Sequence, residues 1–319
     1  MKTTLRLLLV TLLSVGVASF AQEPAPAVNH NSWTSGTPIP TGVVSPAGTA
    51  VIKGKIYVVG GQDSSGNVIA DTQIYDPVAN TWTAGVPLPT PTGDGSAAVV
   101  KNILYLFGGY SGTAYTNAVW AFNPKTHTWS PKSPMPTLRA STGAVATKTG
   151  IIYVIGGEMN GGRLNTVESY DPATDTWNEE APLMTGKSEA SIGLVGKTIV
   201  AADGYTSSQD TGDNEGYSLV TNSWTSLKSD PTPRNTACGG GIGAQMYVAG
   251  GYPGGGPGTS ALALNESFKV SKNTWTTLAS LPQATMFPGS AVYKGKLYCI
   301  GGWTAFQRTV LNNVQIYQP

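Results

Sequence analysis

Apolar residues fall in short runs along the chain, and no run keeps a helical period. "KIYVVGG", "ILYLFGG", "IIYVIGG", "QMYVAGG" and "KLYCIGG" are each a brief apolar stretch closed by a glycine pair. Length and β-branched content predict buried strands that stop at the glycines. A segment of small apolar residues such as "STGAVAT" precedes each run, and an alternating segment such as "TVESYDP" follows it. A fourth strand begins at a tryptophan. Four short strands separated by turn formers predict an all-β chain.

The pattern repeats. The glycine pairs fall at 60–61, 108–109, 156–157, 250–251 and 301–302, and a degenerate copy, "TIVAADG", sets Asp203-Gly204 in the one double gap. That makes six units of about 48 residues. Tyr75, Phe122, Tyr170, Tyr217 and Phe268 each precede a tryptophan by seven positions: Trp82, Trp129, Trp177, Trp224 and Trp275. The sixth aromatic, Tyr317, has no tryptophan after it, while Trp33 has no unit before it. One unit shared between the two ends explains both. A four-stranded sheet cannot bury both faces alone, but sheets stacked in a ring cover one another and leave no open end. The expected fold is a six-bladed β-propeller over residues 32–319, closed by an N-terminal strand that completes the last blade. The repeated glycine, tyrosine and tryptophan positions read as structural.

"IYDPVANTW", "AFNPKTHTW" and "SYDPATDTW", set after the Gly-Gly strands, resemble the kelch repeat. The resemblance covers residues 32–319 and implies a kelch-type propeller; kelch propellers host binding and enzymatic roles alike. Units four and five depart from the motif, with Asp203 in a glycine position and the long segment "YPGGGPGTSALALN".

Ahead of the repeats, Lys2 and Arg6 precede an apolar run from Leu7 to Val17, then "ASFA". This three-part pattern predicts a signal peptide over 1–21, followed by a flexible lead at 22–31. The run is too short to span a bilayer. Export to the periplasm or the extracellular space is expected. Removing Lys2 and Arg6 takes the formal net charge from +1 to −1, which offers nothing to nucleic acid or a membrane surface. Cys238 and Cys299 lie inside predicted strands; export permits pairing, and the strict spacing a disulfide needs weighs against it.

Strand direction sorts the loops. Segments entering each first strand share a propeller face with the loops after each glycine pair. The entry segments carry Thr92, Asp94, Arg139, Lys187, Glu189, Arg234 and Thr285; the loops carry Tyr110, Glu158, Arg163, Tyr205, Asp210, Tyr252, Trp303 and Arg308. Arg139, Arg234, Lys187, Tyr205, Tyr252 and Trp303 are the candidate ligand-binding residues for a protein or glycan. The resemblance implies that arginines at the Arg139 and Arg234 position meet acidic peptide side chains; hydrogen bonding to neighbouring loops is the plainer alternative.

Only His30 and His127 are present, and no His/Cys/carboxylate spacing suits a metal. The copper site of one kelch branch would need histidines this chain does not have. No cofactor is expected. The resemblance also implies one enzymatic alternative, a sugar mutarotase of the sialic-acid type. Glu158, Glu189 and Asp203 would be its acid–base candidates, with Arg139 or Arg234 on the sugar acid.

Overall fold

The computed structural model describes residues 30–254, 259–304 and 309–319. The expected leader at 1–21, most of the lead and Arg308 lie outside them.

Six four-stranded antiparallel sheets surround a central channel. Blade one runs from the axis outward as Gly48–Ile52, Lys55–Gln62, Val68–Asp76 and Thr81–Ala84. Blades two to five repeat this order, with inner strands Ser96–Val100, Gly143–Ala146, Ser191–Val195 and Cys238–Ile242. Blade six takes Gly289–Tyr293, Lys296–Ile300 and Val314–Gln318 from the C-terminal end, and its outer strand is Ser32–Gly36. Trp33 pairs opposite Tyr317 in that strand, as the split repeat predicts.

Two concentric rings of hydrogen bonds hold the blades together. Near the axis the amide of each entry residue donates to the carbonyl of its counterpart one blade back. Asp94 donates to Ser45, Ser141 to Asp94, Glu189 to Ser141, Thr236 to Glu189, Phe287 to Thr236, and Ser45 closes the circle on Phe287. All six residues have φ between 45° and 57°. That left-handed conformation is unfavourable for side-chain-bearing residues and persists where surrounding contacts over-determine it. At the rim each tryptophan indole donates to a carbonyl of the preceding blade: Trp82 to Thr37, Trp129 to Val86, Trp177 to Ser133, Trp224 to Ala181 and Trp275 to Lys228. Trp33 donates to Ala279 at 2.7 Å, so the rim ring also crosses the joint between the termini.

The core is divided among the blade interfaces. Val59 and Tyr57 of blade one, for example, pack on Leu104, Leu106 and Phe122 of blade two. The glycine pair is sterically required: a Cβ on Gly60, at φ 61°, would lie 2.2 Å from the Thr92 carbonyl oxygen. Asp203 adopts the same backbone at φ 60° in unit four.

Cys238 and Cys299 form a disulfide, with Cα atoms 5.7 Å apart. The expectation weighed against pairing because both sit in strands. The ring packs the inner strand of blade five against the second strand of blade six, and that contact brings the two thiols within bonding range.

Candidate functional site

Backbone bridges confirm which loops share a face. In every blade an entry residue pairs with a residue after the glycine-pair position: Val44 with Gln62, Gly93 with Tyr110, Ala140 with Glu158, Ser188 with Tyr205, Asn235 with Tyr252, and Met286 with Trp303. These pairs set the walls of the channel mouth.

Two adjoining clefts open there. One, of about 400 Å³, is lined by Asp94, Tyr110, Tyr115, Glu158 and Glu189 with Trp303. The other, of about 380 Å³, is lined by Arg163, Tyr205, Asn235 and Tyr252 and shares Glu189, Phe287 and Trp303 with the first. The channel lies beneath them as a cavity of about 230 Å³ that includes Asp94 and Glu189.

Glu158 and Arg163 pair across a short hairpin of Glu158–Met159 and Gly162–Arg163, with an ion pair of 2.5 Å. Tyr115 Oη donates to Glu158 Oε1 at 3.3 Å, and the Arg163 guanidinium lies 4.8 Å from the Tyr205 ring centre. Arg163 is thus fixed by a carboxylate on one side and an aromatic face on another. Phe287 meets Trp303 edge-on at 5.5 Å.

Burial pushes the Asp94 carboxyl up to about 6, against a hydrogen bond from Ser45 and with the Glu158 charge adding to the rise. Glu189 is pushed up to about 8 by burial first, then by Glu158 and Asp94, with Arg163 opposing. The mouth therefore holds more negative charge than it can comfortably ionise.

The structure gathers Glu158, Glu189, Tyr205, Tyr252 and Trp303 from the predicted set. It does not bring Arg139, Lys187, Arg234 or Asp203 to them. Arg139 and Arg234 are fully buried and Lys187 is 1% exposed, so a ligand at the mouth does not reach them. Arg139 donates to Glu168 Oε2 at 2.7 Å and to the carbonyls of Gly156 and Thr166. Lys187 Nζ donates to the carbonyls of Ala201 and Asp213 and lies 3.4 Å from Glu215. Arg234 binds Asp230 at 2.9 Å, lies 3.7 Å from Asp203 and pairs with Glu266. The plainer alternative at this repeat position, bonding between neighbouring loops, describes what the arginines do. Asp203 is 1% exposed; burial and Asp230 hold its carboxyl well above the usual range.

Asp94 and Arg163 lie at the mouth but were not among the predicted site residues, and neither were Tyr115 and Phe287. Asp94 holds the repeat position that the predicted Glu189 holds, and aligning the six entry segments is the signal that adds it. Nothing local marks Tyr115, which enters from a third strand. Among the described residues no group of three His, Cys, Asp or Glu side chains is placed to hold a metal, and no helix is long and apolar enough to cross a membrane.

A family model described as the KLHDC2/KLHL20/DRC7 Kelch-repeats domain matches residues 27–191, and the Kelch motif matches 284–319. The chain is 28% identical to Kelch-like protein terF of Aspergillus terreus over 90% of its own length and 56% of that protein's. It is 26% identical to human Kelch-like protein 23 over 83% of its length and 46% of that protein's. It spans about half the length of these relatives. Among solved structures, the one titled "Structure of YjhT" superposes with a TM-score of 0.75, at 20% identity, covering 87% of this chain and 95% of that one. This last likeness concerns the fold.

Proposed function

Because the chain belongs to the kelch-repeat family, whose propellers generally bind proteins, we propose that it is a binding propeller that takes a segment of a partner protein at the channel mouth. The observation that carries this reading is the convergence of Tyr110, Tyr115, Tyr205, Tyr252 and Trp303 around Glu158, Glu189 and Arg163. Half-buried aromatics beside charged groups combine apolar area with orienting polar atoms, as interface centres do. A glycan suits the same aromatics and is the competing ligand class. Peptide and glycan arrays probed with the wild type and with Tyr252→Ala/Trp303→Ala test the site. Retained peptides that the double substitution releases support it; unchanged binding by a folded variant counts against it.

The protein acts outside the cytoplasm in this reading. The leader pattern at 1–21 supports it, and so does the Cys238–Cys299 disulfide, which suits an oxidising compartment. Mass spectrometry of exported protein should find an N-terminus near Gln22; an intact Met1 on exported material refutes it.

A second reading, a mutarotase-like isomerase, draws on the Glu189 carboxyl, whose pKa of about 8 suits proton exchange near neutrality. It now rests on Glu158, Glu189 and Arg163, since Asp203, Arg139 and Arg234 are buried away from the mouth. NMR of sialic acid anomer interconversion with and without the protein decides it: no acceleration removes this activity.

A further inference from the structure

We infer that the partner segment inserts a basic side chain, lysine or arginine, into the central channel between Asp94 and Glu189. The inference rests on the binding reading above and adds the chemistry of the anchor. Three carboxylates from successive blades, Asp94, Glu158 and Glu189, face the mouth. Arg163 is already bridged to Glu158, and among the described residues neither Asp94 nor Glu189 makes an ion pair. A cation therefore complements the site, and an anion would meet like charge in a partly desolvated cavity.

A second observation lies deeper. Ser96, Ser191 and Thr236 are 8%, 5% and 7% exposed, line the same channel, and have hydroxyls without a hydrogen-bond partner in the protein. Ser96 and Ser191 open the inner strands that the Asp94 and Glu189 entry segments lead into, so the hydroxyls and the carboxyls come from the same two blades and line one cavity. Buried hydroxyls call for partners. An ammonium carries three donors and a guanidinium five, which two carboxylates and these hydroxyl oxygens match. The apolar stem of such a side chain suits the wall of Phe287 and Trp303 above. A cation between the two carboxyls also favours their ionised forms. Burial first, then Glu158, Asp94 and Asp210, raise Glu189 while Arg163 lowers it; burial first, then Glu158, raises Asp94 against a hydrogen bond from Ser45.

The test pans a phage-displayed random heptapeptide library on the full-length folded protein. Lysine or arginine should be enriched about tenfold or more at one position. A selected synthetic peptide should bind about tenfold or more weaker when that lysine is acetylated or that arginine is replaced by citrulline, and also to Asp94→Asn/Glu189→Gln. The ligand-side change leaves the protein intact, so the contact is read even where the double variant does not fold. Selected peptides that lack a basic residue yet lose binding on Trp303→Ala overturn the inference and leave the binding reading standing. So does basic enrichment indifferent to acetylation or citrulline. If no peptide is retained, or none depends on Trp303, the binding reading fails and the inference with it.

Discussion

Blades three to five tie their entry segments down with charge, and blades one and six do it with neutral amides. In the first half Arg139 meets Glu168, Lys187 meets Glu215, and Arg234 meets Glu266. In the other, the Gln73 amide exchanges two hydrogen bonds with the backbone of Thr41, and Gln315 does the same with Gln283. Glu168, Glu215, Glu266, Gln73 and Gln315 occupy the same third-strand position, two residues before the conserved-in-repeat aromatic. The work is the same: an inner strand's entry segment is held against its own blade. The buried cations are thus the charged form of a clasp that glutamine supplies elsewhere. Charge raises the stakes, because a buried ion that loses its partner is far costlier than an amide that does.

The largest consequence is expected at Arg234. Arg234→Met leaves Asp203, Asp230 and Glu266 crowded without their shared cation, and should cost about 5 kcal/mol, the upper end for breaking a buried pair. Denaturant unfolding monitors it; a loss below about 1 kcal/mol would mean the cluster is already neutral. Next comes the boundary between the halves, which the Cys238–Cys299 disulfide crosses. It closes a loop of sequence separation 61, so reduction or Cys238→Ala/Cys299→Ala should remove about 4 kcal/mol on the chain-entropy estimate. An unchanged melting temperature after verified reduction contradicts this. In the amide half, Gln315→Leu strands the Gln283 backbone groups and should cost about 2 kcal/mol. If it equals Arg234→Met, the contrast between the halves is empty.

The smallest effect is a change of slope. Asp94 rises from 3.8 to about 6 and Glu189 from 4.5 to about 8 on folding. Between those limits the folded state binds more protons than the unfolded, so these two groups make stability fall as pH rises from about 4 to 8. Their contribution is complete below the unfolded values and lost through the folded ones. Asp63 and Asp76, held low by hydrogen bonds, act in the opposite sense at more acid pH. Glu189→Gln should flatten the stability curve between about pH 6 and 8. A slope identical to the wild type in that interval argues against the assignment.

Much of the fold was legible because its signals are local and recur. The Gly-Gly strand ends, the aromatic seven residues before each tryptophan, and the orphans Trp33 and Tyr317 state the blade count and the closure without any distant contact. The face of the site was legible too, since chain direction alone carries entry segments and post-glycine loops to one side. The identity of the site residues was not. Arginine on an entry segment reads as an exposed cation until Glu168 or Glu266, about 30 residues later, is folded beneath it.

The sequence by itself determined six units, their strand order and the joint that shares one blade between two ends, because periodic apolar patterning needs only neighbours along the chain. Tertiary structure decided which charges are clasps and which face a ligand. It also decided the thiol pairing and the inner ring of Ser45, Asp94, Ser141, Glu189, Thr236 and Phe287, six residues with no chemistry in common. Burial and electrostatic partnership depend on what arrives from other blades, and residues that share only a backbone conformation leave no common letter to read.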